Sequence, residues 1–421
     1  MTDNNFDGSP DFNPDFNPDT GPPFGHSAEP AGSGVVRATP FVYRDPSQIP
    51  KRQWLYNRHL IRKFVSVTIA PGGVGKTALK IVEALAMASG RDLLNAGPIP
   101  HPLAVWLYNL EDPAEEMERR IAGGMMHYRI TPKAIEGRLF VDSGRDQPLV
   151  IAEPMPSGNG AHIIRPKVDQ LVAEIIARKV DALIVDPFVS CHSVNENDNG
   201  AIDAVAKEWG RVADATGCAI ELVHHSKKTG GREITAESSR GAVALISAAR
   251  SVMVLNPMTA AEGDSMGIEA GERRRLFRAD ADKTNLAPPG AQSDWYRLAS
   301  IDLGNGDGPE DDGDSIGVVE RFYPPHPMHD VEPTAIAEIQ EALNAGDYRE
   351  NAQSAAWAGN VVARVLDRDL NDAGQRKAIG KMIKIWVKDG SLRVVYRPDN
   401  KSMPRPCLVG GGAASSSSSP P

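Results

Sequence analysis

The middle of the chain alternates short apolar runs with longer amphipathic stretches. The apolar runs are rich in β-branched residues, as strands are, and lie at Phe64–Ile69, Ala104–Tyr108, Leu139–Val141, Ala182–Val185, Ala219–Val223 and Ser251–Leu255. The amphipathic stretches have helical spacing and lie at Thr77–Ser89, Pro113–Met126, Val168–Lys179, Ala201–Ala215 and Ala236–Ala248. Near-continuous apolar strands alternating with helices are typical of a parallel sheet covered on both faces. The pattern predicts an α/β fold with a mostly parallel central sheet, extended antiparallel by strands around Arg275–Asp280 and Trp295–Ile301.

The two ends of the chain are predicted to be disordered. Residues 1–45 are acidic, rich in Pro, Gly and Asp, and contain a duplicated Asp-Phe-Asn-Pro, while residues 410–421 end in five serines and two prolines. Such segments bury too little apolar surface to offset the entropy of ordering. Residues 46–325 are predicted to form the α/β domain, with an acidic flexible loop at 304–317.

Residues 330–409 form a separate C-terminal unit in this prediction. Helical patterns at Thr334–Asn344, Ala352–Leu366 and Asp372–Lys388 precede two short strands, Ser391–Tyr396 and Pro406–Val409. Three helices followed by a hairpin is the layout of a winged helix, although small helical domains share much of it.

The net charge of −9 does not exclude a nucleic-acid partner, because the charge is unevenly spread. Residues 1–45 carry −5 and residues 301–329 carry −6, so the rest of the chain carries +2. The cysteines Cys191, Cys218 and Cys407 lie far apart, without metal or disulfide spacing, which is typical of a reduced, cytoplasmic protein. No apolar run approaches the roughly 20 residues that a membrane span needs, so no membrane partner is expected.

A Gly-rich segment between the first strand and the first helix predicts a phosphate cradle. Its residues, all assigned to nucleotide binding, are Ala70, Pro71, Gly72, Gly73, Val74, Gly75, Lys76, Thr77 and Ala78. Glycines let backbone N–H groups curl around phosphates, and the helix that follows presents its positive end to them. Lys76 is expected to reach the β- and γ-phosphates of ATP, and the Thr77 hydroxyl to bind Mg²⁺. Ala70 stands where the strict pattern has its first glycine, a substitution that is tolerated because this residue closes the strand.

Acidic residues end two of the later strands. Glu111 follows the strand beside the cradle, where a carboxylate can deprotonate the attacking water, and Asp112 is expected to cap the next helix with Pro113 at its first position. Asp186 ends the strand that begins after Asp181, and it is expected to hold Mg²⁺. Asp181 lies at the opposite edge and is interpreted as structural.

Two adjacent histidines, His224 and His225, end another strand. Adjacent strand residues face opposite sides of a sheet, so at most one of them can easily reach the γ-phosphate. Either histidine is a candidate phosphate sensor, and the alternative is a structural histidine. Two loops leave the strand ends on the ligand side: Pro187–Asn199, which contains His192, and Lys227–Glu237. The second is basic and Gly-rich, which suits contact with a DNA backbone and equally suits plain exposure to solvent.

The order of these parts resembles that of the RecA-like P-loop NTPases. It most resembles the RepA-type hexameric replicative helicases of mobilisable plasmids, together with related AAA-family ATPases of phage and plasmid replicons. The resemblance covers roughly residues 50–300 and rests on Ala70–Thr77, Trp106–Pro113, Asp186, His224–Lys227, and Ser239–Gly241 followed by Arg250.

The resemblance implies a Mg²⁺-dependent ATPase, with Glu111 as catalytic base, Asp186 as Mg²⁺ acid and His224 or His225 as sensor. Arg250 maps onto the arginine that crosses to a neighbouring subunit's γ-phosphate. Asp282–Asn285 is similar to a late Lys-x-Asn element. The implied partners are further copies of the chain in a homo-oligomeric ring, a hexamer, as well as single-stranded DNA and replication-initiation proteins. The other interpretations are an ATP-gated DNA-binding regulator that does not unwind DNA and a filament-forming recombination or repair ATPase.

The C-terminal unit is basic. Asp367–Arg405 contains ten basic and five acidic residues, and Lys377, Lys381, Lys384 and Lys388 fall on one face of the third predicted helix. This layout fits a recognition helix in a DNA groove, and an ordinary solvated helix face produces the same pattern.

Overall fold

The computed structural model describes residues 38–156, 158–226, 233–236, 243–287, 293–308, 311–325, 331–399 and 402–411. The chain divides into two compact units, Met1–Lys51 and Arg52–Pro421. In the first unit, residues 38–51 are exposed and contain a 3-10 turn at Pro46–Gln48, which the side chain of Asp45 caps. The remaining elements all belong to the second unit.

The strands, in chain order, are β1 (Trp54–Tyr56), β2 (Leu60–Ile61), β3 (Val65–Ala70), β4 (Val105–Asn109), β5 (Leu139–Ser143), β6 (Ala152–Pro154), β7 (Ala161–Ile163), β8 (Ala182–Asp186), β9 (Ala219–His225), β10 (Ser251–Pro257), β11 (Leu276–Thr284), β12 (Asp294–Asp302), β13 (Ser315–Phe322), β14 (Leu392–Pro398) and β15 (Pro404–Gly410). The helices are α1 (Lys76–Ser89), α2 (Ala114–Tyr128), α3 (Pro132–Ile135), α4 (Arg165–Arg178), α5 (Asn199–Thr216), α6 (Val243–Ala248), α7 (Ala260–Met266), α8 (Ala270–Arg273), α9 (Pro333–Asn344), α10 (Gly359–Val365) and α11 (Ala373–Asp389). A 3-10 turn, Phe188–Cys191, follows β8.

Within the described ranges, nine strands form one sheet in the order β13-β12-β11-β10-β3-β9-β8-β4-β5. The pairs from β10 to β5 are parallel, and those from β10 to β13 are antiparallel. This confirms the predicted α/β fold with a mostly parallel sheet. The sequence prediction missed β13, which begins inside the predicted loop 304–317 and pairs with β12 along its full length.

Helices cover both faces of the sheet, as the apolar strands require. Val65, Val67 and Ile69 pack with α4, α5 and α6, whereas Ala70, the last residue of β3, packs with α1. The alternation along β3 therefore decides which strand residues can meet α1, the helix that opens at Lys76.

The start of α2 differs from the sequence prediction. Its first hydrogen bonds run from Glu116 N and Met117 N to Pro113 O, so Pro113 is the N-cap and α2 begins at Ala114. The expected cap, Asp112, instead lies with its carboxylate 3.3 Å from Arg120 Nη1. The prediction placed the boundary one residue early because the turn before α2 is held by other contacts.

Three helices and a hairpin form the C-terminal part. Strands β14 and β15 pair antiparallel from Leu392↔Gly410 to Pro398↔Pro404. The helices pack around a core that includes Ile339, Trp357 and Trp386. The second helix, α10, is shorter than the predicted Ala352–Leu366, because residues 351–357 form turns. The first turns of α11 contact α7, where Lys377 Nζ lies 3.5 Å from Ala261 O. Across the described ranges, no helix is both long and apolar enough to cross a membrane.

Candidate nucleotide site

The loop between β3 and α1 curls as a phosphate cradle must. Gly73 and Gly75 have φ of 79° and 102°, values that side-chain-bearing residues rarely adopt. A Cβ at Gly75 would also lie 3.3 Å from Leu298 Cδ1, whereas at Gly72 or Gly73 it would meet nothing within 4 Å. The space next to Gly72 and Gly73 is therefore open, and α1 begins directly at Lys76 with no side-chain cap on its first N–H groups.

Lys76 projects into this region as a largely buried cation. Its side chain is only 6 % exposed, and Nζ lies 3.4 Å from His225 Nδ1. Burial lowers the pKa of Lys76, while the charges of Asp186 and Glu111 act in the opposite direction. A buried ammonium facing an open loop is suited to hold a polyphosphate, whose negative charge would compensate for its desolvation.

Thr77 and Asp186 lie in contact beside Lys76. The Thr77 hydroxyl donates a hydrogen bond of 2.6 Å to Asp186 Oδ2. Asp186 is 2 % exposed, and burial raises its pKa, an effect that Thr77 and the positive charge of Lys76 oppose. A hydroxyl and a buried carboxylate are the hard oxygen ligands that Mg²⁺ prefers, so these two residues fit the metal that the sequence predicted.

The Asp186→Asn variant should need at least about tenfold more Mg²⁺ for half-maximal ATP hydrolysis, because an amide binds a divalent cation less well than a carboxylate. Its folding should be unimpaired, because the substitution removes a buried charge. A Mg²⁺ titration of hydrolysis, with thermal unfolding alongside, measures both effects. Asp181→Asn, just before the same strand, is the matched control: it breaks the ion pair with Arg62 but should leave the Mg²⁺ requirement unchanged. An unaltered titration for Asp186→Asn would contradict the assignment.

The turn that carries Glu111 is held by Asn109. Asn109 Oδ1 accepts hydrogen bonds from Glu111 N at 2.9 Å and from Asp112 N at 2.7 Å. Leu110 N donates to Asp186 O at 2.7 Å, which fixes the turn beside β8. Glu111 itself is exposed, and its charge acts on Lys76, Asp186 and His225. The sequence reasoning missed Asn109, whose signal is a polar residue that closes an otherwise apolar strand.

The two histidines face opposite sides of β9. His225 is half-buried on the α1 side, within reach of Lys76, and its pKa is lowered by burial and then by the charge of Lys76. His224 lies on the other face, where its ring centroid is 6.4 Å from that of Phe188. The geometry thus selects His225 of the two candidates as the histidine adjacent to the cradle.

His192, in the loop Pro187–Asn199, is buried. It is 6 % exposed and stacks edge-on against Phe188 with a centroid distance of 4.8 Å. Both its ring nitrogens, and Nδ1 of His224, lack a hydrogen-bond partner within the part of the chain that the structure describes. Burial lowers the pKa of each histidine to about 4. The segment Pro187–Asn199 therefore does not offer His192 to DNA.

We expect His192 and His224 to make the fold sensitive to acid. Since each folded-state pKa of about 4 lies below the ordinary 6.5, their stabilising contribution is complete above pH 6.5 and is lost as pH falls towards 4. Each histidine should cost about 1.6 kcal/mol of unfolding free energy between pH 6.5 and pH 5. Denaturant unfolding at both pH values measures this for the wild type and His192→Leu. The unfolding free energy of His192→Leu should change less with pH than that of the wild type. His162→Leu, which replaces an exposed histidine, is the control and should change as the wild type does. An equal change in all three proteins would contradict the prediction.

Arg250 lies at the opposite end of the sheet from the cradle. It directly precedes β10, and its N donates to Val65 O at 3.0 Å, at the start of β3. The length of β3 thus separates it from Ala70 by roughly 16 Å. Its side chain is exposed. In the Asp282–Asn285 element, Lys283 Nζ donates to Ile246 O at 2.7 Å, and its pKa is lowered by burial and by Arg250.

Two predicted elements lie outside the described residues. One is the basic part of the second loop, with Lys227, Lys228, Gly230, Gly231 and Arg232. The other is the Ser239–Gly241 motif that precedes Arg250.

A family model described as an AAA domain matches residues 36–231. The matched range contains the cradle, Glu111, Asp186 and both histidines, and it ends before Arg250 and the C-terminal unit. This match supports an AAA- or RecA-like ATPase that binds nucleotide, as expected from the sequence.

Proposed function

We propose that the protein is a Mg²⁺-dependent ATPase that forms a homo-oligomeric ring, a hexamer, and couples ATP hydrolysis to movement on single-stranded DNA. In this proposal it is a replicative helicase of plasmid or phage type. The single observation on which it rests is that the candidate site residues lie at two ends of the sheet. The cradle, Asp186, Glu111 and His225 meet at one end, and the exposed Arg250 lies at the other.

The chemistry assigned to the site is hydrolysis of the γ-phosphate. Glu111 accepts a proton from water while the water oxygen bonds to the γ-phosphorus, and the bond from phosphorus to the β,γ-bridging oxygen breaks to release ADP. Lys76 and the first N–H groups of α1 hold the phosphates, and His225 contacts the γ-phosphate. Thr77 and Asp186 would hold Mg²⁺, which would supply positive charge to offset the charge that develops on the phosphate oxygens.

The position of Arg250 is the reason for proposing a ring. Because roughly 16 Å of strand separates it from its own cradle, its guanidinium serves the γ-phosphate bound to the adjacent copy. Head-to-tail contacts that use two different surfaces close into rings when the rotation per subunit permits. Hydrolysis then depends on assembly.

DNA contact is assigned to the central channel and to the C-terminal unit, which we interpret as a winged helix. Ile379, Met382 and Trp386 of α11 are buried in the unit's own core, whereas Lys384 and Lys388 are exposed. Since Lys377 lies against α7, the second half of α11 and the hairpin β14–β15 form the surface offered to DNA or to a replication-initiation protein.

Three measurements on the wild type test the proposal: ATP hydrolysis with and without single-stranded DNA, electron microscopy with ATP, and unwinding of a forked duplex. The expected results are stimulated turnover, rings, and strand separation. Nucleotide-dependent duplex binding without unwinding would favour the ATP-gated regulator, and open filaments would favour the recombination or repair ATPase. A monomer whose turnover ignores DNA would overturn the proposal.

A further inference from the structure

A group of charged side chains is buried between α1 and the sheet, away from the cradle. Lys80, Glu83, Glu221 and His59 are all almost completely buried. Lys80 Nζ lies 2.8 Å from Glu83 Oε2 and 3.0 Å from Glu221 Oε1. The Thr68 hydroxyl also donates a hydrogen bond to Glu221. The carboxylate of Glu221 is thus the centre of the group.

His59 extends this group to the beginning of β10. Its Nε2 lies 2.9 Å from Glu221 Oε2, and its Nδ1 lies 2.8 Å from Ser251 Oγ. Ser251 is itself buried, and it directly follows Arg250. We refer to these six residues as the buried charge network: His59, Thr68, Lys80, Glu83, Glu221 and Ser251.

The network has a member on each of four elements that carry nucleotide-site residues or directly follow Arg250. Lys80 lies one helical turn after Lys76 on α1, so both occupy the same side of that helix. Glu221 lies four residues before His225 on β9, on the same face of the strand. Thr68 precedes the cradle on β3, and Ser251 adjoins Arg250. The network therefore connects the two ends of the sheet.

Hydrophobic burial does not account for such a group. Burial would raise the pKa of Glu221, but the charges of His59 and Lys80 lower it to about 2, so its carboxylate is ionised at neutral pH. Lys80 has a raised pKa because its two carboxylate partners outweigh burial, and it remains an ammonium. Well-packed apolar residues often stabilise a fold as well as buried charges do, whereas in some proteins buried polar groups fix the register of the elements that carry them.

We infer that the buried charge network positions Arg250 relative to the phosphate cradle of its own subunit, through the link from Glu221 to His59 to Ser251. The inference rests on the proposed function, since Arg250 acts on the neighbouring subunit's nucleotide. In a closed ring each subunit must present its cradle to one neighbour and its arginine to the other. The network sets the geometry between those two surfaces, and its members are positioning residues.

The Ser251→Ala variant tests the link with the least disturbance, because it removes one buried hydroxyl and adds no bulk. A misplacement of about 1 Å costs up to about 100-fold in rate, so kcat should fall by tenfold to 100-fold. The KM for ATP should change by less than about threefold, since the contacts of Lys76 and Thr77 remain. Ser89→Ala, on α1 but outside the network, is the matched control and should keep the wild-type kcat.

Subunit mixing separates a positioning role from a general structural one. Lys76→Ala subunits lack a working cradle but keep Arg250 and Ser251, so mixing them with Ser251→Ala subunits should restore activity. In a random equal mixture, roughly one site in four pairs an intact cradle with an intact arginine side, and activity should approach that fraction of wild type. A Ser251→Ala subunit that is damaged as a whole would gain nothing from mixing.

The mixture of Lys76→Ala with Arg250→Ala distinguishes the two proposals. If that mixture regains activity but Ser251→Ala keeps full kcat, or is not restored by Lys76→Ala, the positioning role is overturned and the ring ATPase stands. If neither mixture regains activity while the wild type hydrolyses ATP, Arg250 does not act across subunits. Both the proposed ring mechanism and the inference that depends on it would then be wrong.

Discussion

Replacing Lys76 with alanine should lower ATP hydrolysis about 1000-fold, which corresponds to a loss of about 4 kcal/mol of transition-state stabilisation. The ammonium is buried beside the loop, 3.4 Å from His225. The variant would lack this positive charge, which offsets the negative charge of the phosphates. The fold should remain intact, because burial already disfavours the charged form of Lys76. Steady-state hydrolysis and thermal unfolding measure the two effects.

The control is Lys133→Ala, which removes an exposed lysine on α3 and should leave hydrolysis unchanged. If Lys76→Ala kept more than about a tenth of the wild-type turnover, the prediction would be contradicted. A tenfold loss of rate corresponds to only about 1.4 kcal/mol of transition-state stabilisation. Lost unfolding cooperativity in the variant would instead show that Lys76 is needed for the fold.

Arg250→Ala should lower hydrolysis by a factor of about 10³ to 10⁵ while nucleotide binding persists, as is typical when an arginine acts in trans. The reason is positional, because the residue stands at the amino end of β10, whereas the cradle follows the carboxyl end of β3. Parallel measurements of turnover and of equilibrium ATP binding check the two halves of the prediction.

Arg250→Lys is the informative companion variant, since it keeps the charge but loses the planar fork of donors. We expect it to recover only part of the turnover. Arg178→Ala, at an exposed position near the end of α4, should behave as the wild type. Full turnover in Arg250→Ala would remove this residue from the site and leave the trans arginine to be found elsewhere.

The alternation of apolar strands and helices is sufficient to predict the mostly parallel sheet. Parallel strands are buried on both faces, so their sequences are almost continuously apolar. Strand β13 was missed because it follows an acid-rich loop and carries charges of its own. Glu320, for example, pairs across the sheet with Arg297. Only the pairing with β12, a contact between chain segments, makes that stretch a strand.

Part of the candidate nucleotide site could also be predicted from the sequence. The cradle and the acids at strand ends are local signals, and the structure brings Lys76, Thr77, Asp186 and His225 together. The choice between His224 and His225 needed the pairing of β9, which fixes the face of each residue. The turn that places His59 beside Glu221 and Ser251 joins residues about 160 to 190 positions apart, and no local pattern reveals it.

Equilibrium binding of ATP to the purified wild-type protein, with Mg²⁺ and with the metal chelated, shows whether the loop between β3 and α1 holds a nucleotide. We expect saturable binding of one ATP per chain that weakens strongly when Mg²⁺ is removed and is lost in Lys76→Ala. No saturable binding in the presence of Mg²⁺, or binding that is the same in wild type and Lys76→Ala, would contradict it.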